Sequence, residues 1–172
     1  MKSIAATLRQ TSVRPNKTNK NKEKITKTAI VYYSRHHRNT EKLLKAIADK
    51  HPDVDLFDIS DNPPADLSAY DRIGFASGIY YSKFQKSLLQ FAKDKIPDGK
   101  QTFFIYTYGQ QKKGYTKAIA EAVAPHNAEV LGEYCCFGFN TYGPFKLFGG
   151  MAKGHPDVDE IAAAVKFYEE LK

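Results

Sequence analysis

The chain has 172 residues, one domain's length on the prior of roughly 100–200 residues per domain. Apolar residues make up 42% and charged residues 26%, which excludes a wholly disordered, collagen-like or low-complexity chain. The net charge of +7 lies entirely in residues 1–27, where eight basic residues meet one acid; the other 145 residues hold 18 charges of each sign.

The folded part therefore has no overall charge excess with which to hold nucleic acid. No run nears the ~18 consecutive apolar residues of a membrane-spanning helix. Cys135 and Cys136 are the only cysteines, and neighbours in sequence rarely bridge, so no disulfide framework exists and two thiols cannot build a structural zinc site. That usage fits a reducing compartment, the cytoplasm.

Residues 1–27 are rich in Lys, Asn, Thr and Ser and poor in large apolar side chains. Such a segment cannot offset its chain entropy by burial, so a disordered basic extension is expected there and a folded domain over 28–172. It lacks the apolar stretch of a secretory signal peptide. Arg9, Arg14, Ser3, Ser12 and the scarcity of acids resemble an organelle import signal, against the plainer reading of a solvated extension.

From Thr28 onward, strand and helix signals alternate. Residues 29–33 are a continuous apolar run, the pattern of a strand buried on both faces. Leu43, Leu44, Ile47 and Ala48 recur at helical spacing, with Asn39 or Thr40 expected as N-cap and Glu41 in the first turn. A second strand is predicted over 54–59, then a break at Asn62-Pro63-Pro64 and a short turn or helix over 65–70. A third strand is predicted over 73–77. Phe84, Leu88, Leu89 and Ala92 mark a helix ending near Pro97. A fourth strand over 102–106 precedes a helix marked by Ala118, Ile119, Ala122 and Val123, closed by Pro125. A fifth strand over 130–137 and a last helix through Val158, Ile161, Val165 and Tyr168 complete the chain. Five strands alternating with helices argue an α/β fold with a parallel sheet covered on both faces and right-handed crossovers.

In such sheets ligands bind beyond the carboxyl ends of the strands. The loop Ser34-Arg35-His36-His37-Arg38-Asn39-Thr40 joins a buried strand to a capped helix. Its hydroxyls, amide and free helix N–H groups make an anion site, against the alternative of a plain turn with a good N-cap. It has neither the glycines of the dinucleotide fingerprint nor a Gly-Lys-Ser/Thr run. The loops after the third and fourth strands, 77–84 and 107–115, both mix glycine with tyrosines: Gly78, Tyr80 and Tyr81 in one, Tyr108, Gly109 and Tyr115 in the other. Glycine admits a ligand close to the backbone and tyrosine offers a stacking face, so these loops suit a planar ring carrying a phosphate; aromatics that cap the core are the competing reading. The loop 138–156 is long for a connection, which suits a lid, a contact between two copies of the chain, partner recognition, or a packed surface loop. Cys135 and Cys136 should face opposite sides of a strand as inert thiols. His51, His126 and His155 make no metal cluster or Ser-His-Asp set on spacing.

Thr28 to Ser34 followed by Asn39-Thr40-Glu41-Lys42 resembles the opening of flavodoxins, and Tyr70 to Tyr80 resembles their third strand and flavin loop. Residues 138–146 are similar to a segment of a further flavodoxin-like branch, so the resemblance spans about 28–172. It implies a doubly wound sheet in the order 2-1-3-4-5 and a bound FMN. It implies that Ser34, His36, Asn39 and Thr40 hold the phosphate. Gly78, Tyr80 and Tyr81, with Thr107, Tyr108 and Gly109, would flank the flavin ring. The usual phosphate loop, Ser/Thr-x-Thr-Gly-x-Thr, is one residue shorter and has glycine where His37-Arg38 stands here. Family electron carriers are often strongly acidic, whereas this domain is balanced. The resemblance implies an FMN protein that passes electrons between redox partners, with the chemistry on the flavin and no catalytic side chain or metal. Two alternatives are a quinone or flavin reductase using NADH or NADPH, and a module that uses the fold for interaction alone.

Overall fold

The computed structural model describes residues 26–171, so the expectations for the basic extension fall almost wholly outside the described residues. Five parallel strands form one sheet in the order β2-β1-β3-β4-β5: β1 Thr28–Tyr33, β2 Val54–Asp58, β3 Arg72–Gly78, β4 Gln101–Tyr108 and β5 Glu129–Phe137. Among the described residues the α-helices are α1 Asn39–Lys50, α2 Lys86–Lys95, α3 Lys117–Val123 and α4 Val158–Glu170. Residues 65–70 form turns rather than a helix.

Two cores follow from the two-residue period of the strands. Ala29 and Val31 of β1, Ile73 and Phe75 of β3, and Phe104, Tyr106 and Tyr108 of β4 pack with Leu88 and Ala92 of α2 and Ile119 and Val123 of α3. Ile30 and Tyr32, Ala76, and Phe103 and Ile105 pack on the other face with Leu43, Leu44 and Ile47 of α1 and Ala164, Val165 and Tyr168 of α4. Each fully buried large side chain contributes about 1.5–3 kcal/mol. Gly74 is required by this packing: a Cβ there would stand 2.4 Å from the Phe103 ring of the neighbouring strand. Cys136 belongs to the α1/α4 face and Cys135 packs against the opposite one, as the alternation predicts.

Three expected boundaries move. α1 has Arg38 at its N-cap position, with no side-chain capping bond, rather than Asn39 or Thr40, which lie inside its first turn. α2 begins at Lys86, with the Gln85 side chain accepting from Ser87 and Leu88 N–H; Phe84 precedes the helix and fills the core from the loop. β4 runs on through Thr107 and Tyr108, which pair with Cys136 and Phe137 of β5, so these two residues are strand and not loop.

Candidate functional site

The strand registers set Tyr33 beside Ser77, Gly78 beside Thr107 and Tyr108 beside Phe137, so four loops leave the sheet along one edge. Between them lies a cavity of about 730 Å³, inside the ~300–1,000 Å³ of small-ligand sites. The structure brings together on its wall Ser34, His36, Asn39 and Thr40 of the first loop and Gly78, Tyr80 and Tyr81 of the third-strand loop. Thr107, Tyr108 and Gly109 complete that wall at the end of β4.

The polar end is built on the β1–α1 connection. His37 and Arg38 both adopt left-handed backbone, at φ 54° and 52°, which turns the chain sharply into α1. The Ser34 hydroxyl oxygen accepts from the Glu41 N–H at 3.2 Å. The N–H groups of Asn39 and Thr40, ahead of it, have no carbonyl four residues back within the helix. Thr40 Oγ1 and Thr107 Oγ1 are 2.9 Å apart, and since only one of the two donates, one hydroxyl proton is left for a ligand. Asn39 donates from Nδ2 to the Phe139 carbonyl at 2.8 Å, while its buried Oδ1 has no partner among the described residues. The Tyr80 phenol sits beside the backbone N–H groups of Arg35 and His36. Burial pushes its pKa up, and those N–H groups and the Arg35 charge pull against it. Arg38 points outward: its side chain is 68% exposed and its guanidinium stands 3.4 Å from Glu41.

The aromatic end comes from three loops. Tyr80 and Lys83 bond each other across Tyr81 and Ser82, both at positive φ, making a tight hairpin turn. The Tyr80 ring packs edge-on against Tyr33 at 5.6 Å and beside His36 at 5.9 Å. Tyr81 is 86% exposed, and its hydroxyl lies 3.4 Å from that of Tyr142 on the β5–α4 loop. Tyr108 departs from the expectation of an exposed stacking tyrosine. Its ring is buried, at 6.2 Å from Tyr115 and 4.9 Å from Phe137, so it packs as part of the core under the wall. Tyr115 is likewise buried and donates to the Gln110 carbonyl.

The sequence offered the β5–α4 loop as a lid among other readings without naming binding residues in it; the structure puts Gly138, Phe139, Asn140 and Tyr142 on the wall. The loop carries a short 3-10 helix at Gly143–Phe148 and is tied to the first loop by the Asn39 bond and by His37 Nε2, 2.8 Å from Thr141 Oγ1. Gly138 admits this tie, since a Cβ there would stand 2.9 Å from Asn39 Nδ2. The loop's length and aromatic content were the available signal. Tyr33 at the end of β1, and Lys83, Gln85 and Lys86 at the entry to α2, were also missed.

Two other expectations concern sites away from the cavity. The structure gathers His155, Asp157 and Glu160 within 4.8 Å, where spacing suggested no cluster around a histidine. Their atoms close the start of α4. Asp157 accepts from Asp159 and Glu160 N–H, and Glu160 accepts from Asp157 N–H and stands 2.8 Å from His155 Nδ1. Burial pushes the Cys136 thiol up to about 12, with the Glu160 charge adding to the rise, so it stays protonated and unreactive near neutrality.

The sequence matches the flavodoxin domain family over residues 29–121. An uncharacterized protein of Methanocaldococcus jannaschii is 40% identical over 147 residues, covering 84% of this chain and 97% of its own. The chain belongs to the flavodoxin domain family. A flavodoxin from the domain Archaea superposes with a TM-score of 0.55 at 19% identity, covering 84% of this chain and 98% of that one. A Streptococcus pneumoniae flavodoxin does so with a TM-score of 0.58 at 20% identity, covering 84% and 96%. At these identities the likeness is one of fold, and the strand order 2-1-3-4-5 agrees with it.

FMN is the cofactor of this flavodoxin family, and the cavity's chemistry fits it. FMN offers a phosphate, a polyol chain and a planar ring. The N–H groups of Asn39 and Thr40 and the Ser34 and Thr40 hydroxyls would hold the phosphate. The unpartnered Asn39 Oδ1 is an acceptor for a ligand hydroxyl. Tyr80, Tyr81 and Tyr142 would border the ring. Where the family's phosphate loop has glycine, His37 and Arg38 stand here, both in the left-handed conformation that glycine adopts most easily.

Proposed function

We propose that this FMN-binding flavoprotein is an electron carrier working between redox partners. Bound FMN supplies the chemistry by taking up and releasing electrons. The chain's own residues bind the phosphate, orient the cofactor and border the ring with tyrosines. The observation that carries this reading is the cavity wall: hydroxyls, amides, aromatic rings, the His36 imidazole and the Lys83 and Lys86 side chains, with no carboxylate or thiol among the described residues lining it. The unpaired thiols of β5 suit a reducing compartment, and no helix among the described residues is long and apolar enough to cross a membrane.

One observation favours a second reading, a reductase. A smaller cavity of about 370 Å³ shares Ile79, Gly109 and Asn140 with the first and adds Lys112, Phe145 and Met151. It offers room for a second small ligand beside the cofactor. Steady-state oxidation of NADH or NADPH by the FMN-loaded protein, with a quinone as acceptor, separates the two. The carrier reading expects turnover no faster than that of free FMN. Saturable turnover well above that level would overturn it in favour of the reductase.

A further inference from the structure

The four loops that ring the cavity carry charge of one sign. Arg35 and Arg38 lie in 34–38, Lys83 and Lys86 in 79–86, Lys112 and Lys113 in 109–116, and Lys146 and Lys153 in 138–156; none of these segments contains Asp or Glu. Residues 28–172 as a whole hold 18 charges of each sign, so the rest of the domain is net acidic and the basic charge is concentrated at one edge. Arg35 and Arg38 lean on Asp61 and Glu41 from outside the ring. The six lysines are exposed, and none has an ion-pair partner among the described residues. They are left to act outward.

The same loops expose large apolar side chains. Tyr142, Leu147 and Phe148 are 63%, 85% and 84% exposed, and Tyr81 faces solvent beside Tyr142. Aromatic side chains next to a charged rim are what protein interfaces bury and what their hot spots use. Leu147 and Phe148 sit on the short helix of the loop whose first residues, Gly138 to Asn140 and Tyr142, form one cavity wall.

We propose that this edge is the docking surface for an acidic electron-transfer protein, steered by the lysine ring and seated on Tyr142, Leu147 and Phe148. The proposal rests on the electron-carrier reading above. A basic rim around a cofactor raises the local concentration of an acidic partner and speeds encounter, an effect that fades with salt. A second copy of this chain fits the same face poorly, because a two-fold contact would set lysine ring against lysine ring. Nucleic acid fits less well, since the cations circle an aromatic-walled cavity instead of following a groove along which phosphates could run.

Labelled poly-L-glutamate serves as the acidic probe, with binding to the full chain read by fluorescence anisotropy at low salt. The variant Lys112→Glu/Lys146→Glu reverses charge on the face. Lys50→Glu/Lys95→Glu does the same at the opposite edge of the sheet, at the ends of α1 and α2. The face variant is expected to bind at least about fivefold more weakly, and the wild-type advantage to shrink toward ~0.15 M salt, where the screening length is ~8 Å. The opposite-edge variant is expected to stay close to wild type. Equal losses in the two variants would overturn the proposal. So would a face-variant loss larger for a short DNA duplex, or for phosphatidylserine vesicles, than for polyglutamate. The binding needs no flavin. Failure of the FMN reading shows separately, as absence of visible flavin absorbance after incubation with FMN.

Discussion

Arg38 enters α1 in a conformation that L-residues occupy at a cost of about 1–2 kcal/mol. Its exposed side chain makes one ion pair with Glu41, which offsets little of that cost. Arg38→Gly should therefore raise stability by about 1 kcal/mol, read as a shift in urea midpoint. A lowered midpoint would show that the side chain does more than its contact reveals. For the same reason Arg38→Ala should change FMN affinity by no more than ~0.5 kcal/mol at any salt concentration. Thr40 is the opposite case. Its hydroxyl is buried against Thr107, so Thr40→Val leaves the Thr107 hydroxyl unpaired. It should cost about 1–3 kcal/mol of stability and weaken FMN binding as well. Unchanged stability with lost affinity would mean that the two hydroxyls do not bond in solution.

At the scale of elements, the sheet and its helices are legible in the sequence because their periods are clean. Ala29 to Tyr33 is apolar throughout, as a strand buried on both faces must be. The end of β4 was not legible. Thr107 and Tyr108 look like the start of a Gly-rich loop, yet they pair with β5, and Tyr108 is claimed by Tyr115 and Phe137, contacts that no local pattern announces. The bonds that hold the β5–α4 loop onto the site were hidden for a similar reason. Asn39 chose the Phe139 carbonyl, a hundred residues away, and a side chain's choice of a distant backbone partner leaves no periodic trace. Gly74 marks where the sheet tolerates least. Gly74→Ala drives a methyl into the Phe103 ring and should cost about 1–3 kcal/mol in denaturant unfolding with the fold retained. A neutral outcome would mean that β3 and β4 can part more easily than their packing implies.

For the whole molecule, burial raises the pKa of many acidic hydrogens at once. Tyr32, Tyr80, Tyr108, Tyr115 and Tyr168 all lie above their ordinary value, with desolvation the largest cause in each. Cys136 rises from 9.0 to about 12 for the same reason. Above pH 9 the unfolded chain loses these protons while the folded chain keeps them, so the unfolded state binds fewer protons and stability falls as pH rises. The urea midpoint should be level through neutrality and decline steadily from pH 9 to about 12, and Cys136→Ala should flatten the first part of that decline. A midpoint that holds to pH 11 would show that these groups titrate in the folded protein. The central claim is that the cavity is an FMN site whose β1–α1 loop holds the phosphate. Titration of purified protein with FMN and with riboflavin, followed by quenching of flavin fluorescence, tests it most directly. The account predicts one FMN per chain and riboflavin binding weaker by at least about tenfold, the loss of one hydrogen bond to a charged group or more. Equal affinity for the two flavins, or no uptake of either, would contradict it.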